Sequence, residues 1–119
     1  MHHRYHSPLI LLSLLAILLL AACAQNRYLY YGDSSQSYYA ALKNPDKTEA
    51  YQRSLEDVFR RSADKGLPVP PGLYCEYAML RLQDGDRSTA REYLLKEREQ
   101  WPESAQLVNL LLAKYSLQP

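Results

Sequence analysis

The sequence predicts an all-α protein with about five helices and no sheet. Apolar residues over positions 38–119 recur at spacings of three and four, which is the periodicity of helices with one buried face. Proline and glycine interrupt this pattern, and no stretch alternates polar and apolar residues for more than a few positions. The chain therefore divides into a leader at 1–22, a short aromatic segment at 23–37 and a helical domain at 38–119.

The leader begins with a short polar stretch in which Arg4 is the fixed positive charge. An apolar run of 12 residues follows from Leu9 to Leu20, interrupted only by Ser13. A helix of that length covers about 18 Å, whereas the hydrocarbon core of a bilayer is about 30 Å thick. The sequence therefore predicts a secretory signal peptide over residues 1–22 rather than a permanent membrane span.

The leader ends in Leu20-Ala21-Ala22-Cys23, which resembles the signal of bacterial lipoproteins. The resemblance implies that Cys23 carries a diacylglycerol and an N-acyl chain, and no other cofactor. Two or more acyl chains anchor a protein stably to a membrane. Ala24 rather than Asp follows, which resembles the enterobacterial signal for transfer to the outer membrane, here on its periplasmic face. The inner membrane is the less favoured location, and an ordinary signal peptide with a chance cysteine is the alternative.

The segment at 23–37 predicts a short tether, because it lacks the long Gly/Ser-rich or Pro-rich stretch of a stalk. Tyr28, Tyr30 and Tyr31 lie outside the helical periodicity. Tyrosine offers a large contact area and a hydroxyl at low entropic cost, so these three are candidate partner-binding residues. The alternative is that they pack this segment onto the helices.

The first two helices are separated by a break at Asn44-Pro45. Ser35 or Asp33 is placed to cap the first helix, which carries Tyr38, Tyr39 and Leu42. Asp46 and Glu49 have the spacing of a capping box for the second. The apolar face of this second helix consists of Tyr51, Leu55, Val58, Phe59 and Ala63.

Glycine, proline and aspartate separate the later helices. Gly66 and Pro68 end the second helix, and Pro71 suits the first turn of the third. Asp84-Gly85-Asp86 ends the third helix and caps the fourth, and Ser104 is placed to cap the fifth. The apolar positions are Leu73, Tyr74, Tyr77, Ala78, Leu80 and Leu82 in the third, Ala90, Tyr93, Leu94 and Trp101 in the fourth, and Leu107, Val108, Leu110, Leu111, Leu112 and Tyr115 in the fifth.

Residues 71–104 resemble one tetratricopeptide repeat of 34 residues. Ala78 and Ala90 fall where that motif has small residues, which let two helices approach closely. Gly85 falls at the turn between the helices, and Pro102 falls at the end of the second. The resemblance implies tetratricopeptide-like helical hairpins, which stack to form a concave binding face.

Two residues depart from this motif, Arg81 at a position that is usually aromatic and Glu97 at one that is usually small. Residues 37–70 are a candidate for a degenerate earlier repeat, although the spacing is not a clean 34. A generic helical hairpin with a glycine turn is the alternative interpretation.

A closer resemblance covers nearly all of residues 23–119. The residues that carry it are Tyr30-Tyr31-Gly32, Pro70-Pro71-Gly72-Leu73-Tyr74, Gly85, Ala90, Glu97 and Trp101-Pro102-Glu103-Ser104. The chain is similar to a family of small bacterial lipoproteins known as domain of unknown function 4810. The resemblance implies an outer-membrane lipoprotein assembly, beside a lipoprotein like the curli export channel, and it implies no catalytic residues. Cys75, where Ala is expected, and Ala78-Met79, where a Gly-containing pair is expected, depart in ways that bear on packing.

The charge and histidine content exclude several functions. Residues 23–119 contain 13 Lys and Arg and 13 Asp and Glu in no block of like charge, which argues against nucleic-acid binding. All three histidines lie in the leader, which removes the commonest general base and metal ligand, and we predict no metal site. Glu92, Glu97 and Glu99 lie on a helix rich in Lys and Arg and are interpreted as a solvated face.

Cys75 is the one thiol that remains once Cys23 is acylated, so it has no partner for an internal disulfide. Its apolar surroundings predict a small, partly buried packing residue, because no cluster of cations lowers its pKa. A reactive or intermolecular thiol is the alternative.

These features together predict a non-enzymatic interaction module with no small-molecule substrate. Its expected partners are the membrane, through the lipid anchor, and other periplasmic or outer-membrane lipoproteins. An activator or binding partner of cell-wall enzymes is the alternative. A periplasmic hydrolase is less favoured, because it would have to work without histidine and without a recognisable nucleophile motif.

Overall fold

A computed structural model describes residues 7–23 and 28–119. The predicted positive charge at Arg4 and the sorting residue Ala24 lie outside the described residues. The helices are α1 (Ser7–Cys23), α2 (Ser34–Lys43), α3 (Thr48–Asp64), α4 (Leu73–Gln83), α5 (Arg87–Gln100) and α6 (Ala105–Lys114). The all-α prediction is confirmed for the described residues, with the five predicted helices at α2–α6 and a further helix within the leader. None of the helices described is long and apolar enough to cross a membrane.

The hairpin of α2 and α3 begins and turns differently from the prediction. Asp33 stands at the amino end of α2 without a side-chain capping bond, whereas the Ser34 hydroxyl donates to the Tyr31 carbonyl at 2.7 Å. Pro45 starts a short 3₁₀ turn (Pro45–Lys47), and the Asn44 side chain caps this turn by accepting from the Asp46 N–H. The predicted capping box is therefore wrong. Asp46 lies within this turn, and the residue before α3 is Lys47, which makes no side-chain capping bond.

The hairpin of α4 and α5 follows the predicted turn chemistry. Gly85 has a φ of +79°, which L-residues with a side chain rarely adopt, and the Asp86 side chain accepts from the Thr89 N–H at 3.1 Å. Ala78 and Ala90 are completely buried, so their small side chains allow α4 and α5 to approach closely. The expectation for Pro71 is wrong, because α4 begins at Leu73.

The core has two adjoining parts. One part joins α4, α5 and α6 around Leu94 and Val108, both of which are completely buried. The other joins α3 to α4 around Leu55 and Tyr77. The aromatic rings of Phe59, Tyr74, Tyr77 and Tyr93 meet at centroid distances of 4.5 to 5.6 Å. These rings pack against one another at the interface between the α2–α3 hairpin and the α4–α5 hairpin.

Candidate partner-binding groove

A groove lies where the α2–α3 hairpin meets α4, and the Tyr38–Tyr51 ring pair divides it. The two ring centroids are 5.4 Å apart. On one side of the pair is an open depression of about 90 Å³, lined by Tyr31, Ser34, Ser35, Tyr38, Tyr51, Leu73 and Glu76. On the other side is an open depression of about 230 Å³, lined by Tyr38, Ala41, Leu42, Thr48, Tyr51, Leu80 and Gln83. Because both are lined by the ring pair, the two depressions are adjacent.

A third depression extends this surface toward α6. It has a volume of about 380 Å³ and is lined by Met79, Leu82, Gln83, Gly85, Arg87 and Tyr115. Gln83 belongs to this depression and to the preceding one. We call these three adjacent depressions together the groove. Its walls come mainly from α2, α3, α4 and the end of α6, so only the packed tertiary structure creates it.

The chemistry of the groove is mainly aromatic and aliphatic. Leu42 is 63% exposed, and Tyr38 and Tyr31 are 44% and 46% exposed, so apolar side chains face solvent at its mouth. Partial burial raises the pKa of Glu76, the carboxyl at one end. Arg87 at the other end donates to the carbonyl oxygens of Tyr115 and Ser116. Such a surface is suited to an apolar peptide segment, with tyrosine hydroxyls available as hydrogen-bond partners.

The structure separates the three predicted tyrosines. Tyr28 is 75% exposed, and Tyr31 lines the groove. Tyr30 is half-buried, with its ring centroid 5.7 Å from Lys65 Nζ and 5.9 Å from Arg61 Cζ at the end of α3. Tyr30 therefore packs the amino-terminal segment onto the domain, while the other two present their rings to solvent.

The structure describes the side-chain environment of Cys75 but not that of Cys23. Cys23 is the last residue of α1, and its side chain lies outside the described residues. Cys75 is 8% exposed within the core that joins α4, α5 and α6. Burial, with a smaller contribution from Glu97, raises the pKa of the Cys75 thiol to about 11. Its position is therefore that of a packing residue.

Glu97 corrects the interpretation of the α5 acidic residues as a solvated face. Its side chain is completely buried, whereas Glu92 and Glu99 are exposed and Glu92 pairs with Lys96 at 2.8 Å. Glu97 Oε1 accepts from the Gly72 N–H at 2.8 Å and from the Ser104 hydroxyl at 3.1 Å. The structure gives Glu97 Oε2 no hydrogen-bond partner among the described residues. The Ser104 hydroxyl thus binds α5. The prediction that it caps α6 is wrong, because it makes no capping bond there.

Two residues that follow Glu97, Gln100 and Trp101, bind the connection between α3 and α4. The Val69 N–H donates to Gln100 Oε1 at 3.0 Å, and the Trp101 indole N–H donates to the Val69 carbonyl at 2.9 Å. We call Glu97, Gln100 and Trp101 the clamp. It fixes residues 69–72, the connection from which α4 starts, and thereby the groove wall that begins at Leu73.

Sequence reasoning missed most of the groove and all of the clamp. Tyr38, Tyr51 and Leu80 fit a helical apolar pattern, and the same pattern describes core and groove positions. Glu97 did carry a signal, because it departs from the small residue expected at this position if residues 71–104 resemble a tetratricopeptide repeat. Among the described residues, no three His, Cys, Asp or Glu side chains converge as a metal site would require.

Comparisons with known proteins place residues 28–111 in one family. These residues match the model described as "Domain of unknown function (DUF4810)". The match covers α2–α5 and most of α6, and hence the groove except for its Tyr115 edge. No curated protein and no solved structure matches the chain.

Proposed function

This chain belongs to the DUF4810 family, and we propose that it is a lipid-anchored, non-enzymatic interaction module on the periplasmic face of the outer membrane. In this proposal Cys23 carries the acyl chains, and the groove binds an apolar segment of another periplasmic or outer-membrane lipoprotein. The proposed partner most in keeping with the family resemblance is a lipoprotein like the curli export channel. An activator role toward cell-wall enzymes would use the same groove with a different partner.

The observation that carries the proposal is the row of three adjacent depressions with largely apolar lining. Neighbouring depressions share the Tyr38–Tyr51 pair or Gln83 in their linings, so one extended or helical segment that follows the groove would contact all three. Burying apolar surface contributes about 25 cal/mol per Å², and Leu42 alone is 63% exposed before binding. A partner that covers Leu42 and Tyr38 therefore gains affinity without a large rearrangement of this domain.

The anchor is supported by the sequence at the end of the leader. Leu20-Ala21-Ala22-Cys23 provides the small residues and the thiol that lipoprotein processing needs. Mass spectrometry of the protein from bacterial membranes should find a chain that begins at Cys23 and carries acyl groups. Cys23→Ala should abolish membrane retention. An unmodified thiol at Cys23, or unchanged fractionation of the variant, would contradict the anchor.

The groove is tested with two leucines that are equally exposed. Leu42 lines the groove and Leu110 lies on α6 outside its lining, and both are 63% exposed. The lipidated protein, crosslinked in outer membranes and purified, should recover a lipoprotein partner. Leu42→Asp should lower that recovery at least tenfold, whereas Leu110→Asp should not change it. Equal recovery with both variants would contradict the groove, and recovery of a cell-wall synthase in place of a lipoprotein would favour the activator role.

A further inference from the structure

We propose that one end of the domain rests directly on the lipid surface, with the Tyr28 ring and the side chains of Arg61 and Lys65 at the level of the lipid headgroups. We call this end, formed by Tyr28–Gly32, the last turn of α3 and the connection 65–72, the basal end. The inference rests on the proposed acylation of Cys23. It adds a second contact with the membrane, made by the folded domain itself.

Several contacts place these segments together. The Tyr30 ring lies near Arg61 and Lys65, so the chain enters the domain beside the carboxyl end of α3. Tyr31 and Leu73 line the same depression, which puts the start of α4 next to this entry. The Trp101 indole N–H bonds to Val69, which adds the carboxyl end of α5. The basal end is therefore a composite surface and not a single helix terminus.

The length of the tether decides which end can reach the lipid. Only residues 24–27 separate Cys23 from Tyr28, and five fully extended Cα–Cα steps span at most about 18 Å. The 17 residues of α3 extend about 25 Å from the basal end to the opposite end of the domain. With acyl chains on Cys23, this tether keeps the basal end close to the headgroups. Thr48, at the far end of α3, is not held close to the headgroups by the tether.

The side chains of the basal end suit a membrane interface. Tyr28 is 75% exposed, and tyrosine is enriched where apolar rings meet hydrated headgroups. Arg60 and Arg61 have side chains that are 67% and 52% exposed, and such long cationic side chains can reach lipid phosphates. Asp57 pairs with both arginines, so the net positive charge is small and general electrostatic attraction alone does not account for the contact.

The groove gains a defined orientation from this contact. Its first depression begins at Tyr31, three residues after Tyr28, whereas its third depression lies near the Gly85 turn at the opposite end of α4. The groove therefore runs from the lipid surface outward. A partner that is itself lipid-anchored can enter it from the membrane side.

The experiment compares two acidic positions on the same helix. The processed, acylated protein, which begins at Cys23, is placed in vesicles of phosphatidylethanolamine and phosphatidylglycerol at 3:1, some of which carry a headgroup nitroxide. A fluorophore is attached to Asp64→Cys at the basal end or to Glu49→Cys at the first turn of α3, both exposed. The buried Cys75 thiol should not be labelled under native conditions. We expect the nitroxide to quench the label at position 64 at least threefold more than the label at 49.

A second comparison tests the tyrosine. Tyr28→Ser should reduce the difference in quenching between positions 64 and 49, whereas Tyr39→Ser, at a tyrosine that is 60% exposed on α2, should leave it unchanged. Equal quenching at 64 and 49 in protein that floats with the vesicles would overturn this inference while leaving the anchor intact. Protein that does not float with the vesicles would overturn the proposed anchor and this inference with it.

Discussion

The buried carboxyl of Glu97 accepts a hydrogen bond from the backbone N–H of Gly72 at 2.8 Å, and so joins the end of α5 to the residue before α4. Gly72 has a φ of +90°, a conformation that residues with a side chain rarely adopt. The bond explains how the Pro70-Pro71-Gly72 and Trp101-Pro102 segments, distant in sequence, form one structural unit. The position of α4, and with it the groove, depends on this unit.

The clamp predicts a graded effect of substitutions at Glu97. Glu97→Ala should lower the free energy of unfolding by about 2–4 kcal/mol, because it removes the acceptor for Gly72 and Ser104 and leaves a cavity. Glu97→Gln keeps an acceptor oxygen and should stay within about 1 kcal/mol of the original protein. Urea unfolding followed by far-ultraviolet circular dichroism measures both values. If Gln were as destabilising as Ala, the acceptor role would be wrong.

The turn between α4 and α5 predicts a backbone effect at Gly85. A Cβ at this position would meet no atom within 4 Å, so the cost of Gly85→Ala comes from the φ of +79° alone. We expect a loss of about 1–2 kcal/mol in the free energy of unfolding. Gly85→Asn should lose less, because asparagine tolerates left-handed backbone better than alanine. Equal losses for the two variants in the same urea experiment would contradict this explanation.

The pKa of Asp86 predicts a dependence of stability on pH. The hydrogen bond from Arg81, at 2.7 Å, and those from Thr89 lower the pKa of the Asp86 carboxyl from 3.8 to about 2. A carboxyl with a lowered pKa in the folded state contributes its full stabilisation above pH 4 and loses it as the pH falls from about 4 to about 2. Asp86→Asn retains a capping oxygen for Thr89 but cannot titrate.

The melting temperature of Asp86→Asn should therefore lie below that of the original protein at pH 7, and the two should converge by pH 2. Thermal unfolding at pH 7, 4, 3 and 2 provides the measurement. A difference that stays constant over this range would show that the ion pair with Arg81 does not carry the effect.

The burial of Cys75 predicts that its thiol is protected. With a pKa raised to about 11, the thiol is almost entirely protonated at pH 8, and the core restricts access to it. The acylated protein should show no thiol that reacts promptly with Ellman's reagent when folded, and one thiol in guanidinium chloride. Cys75→Ala should remove that one thiol. A second thiol in the denatured protein would be that of Cys23 and would contradict the acylation.

Much of the fold could be predicted from the sequence because its causes are local. The spacing of Tyr51, Leu55 and Val58 predicts α3 and its buried face, and Gly85 with Asp86 predicts the turn into α5. The capping residues of the helices were predicted less well. Asp46, for example, has several possible hydrogen-bond partners within a few residues. Asp46 lies in the 3₁₀ turn that begins at Pro45, and the spacing of residues in the sequence does not indicate that turn.

The sequence by itself determined which segments of the domain are helical and where they end, because these depend on neighbouring residues along the chain. Only the tertiary structure decided that Glu97 is buried and that Tyr38, Leu80 and Tyr115 line one groove. The physical reason is that a helical apolar stripe identifies a surface without identifying its partner. Whether a given stripe becomes core or groove depends on how the hairpins pack against each other.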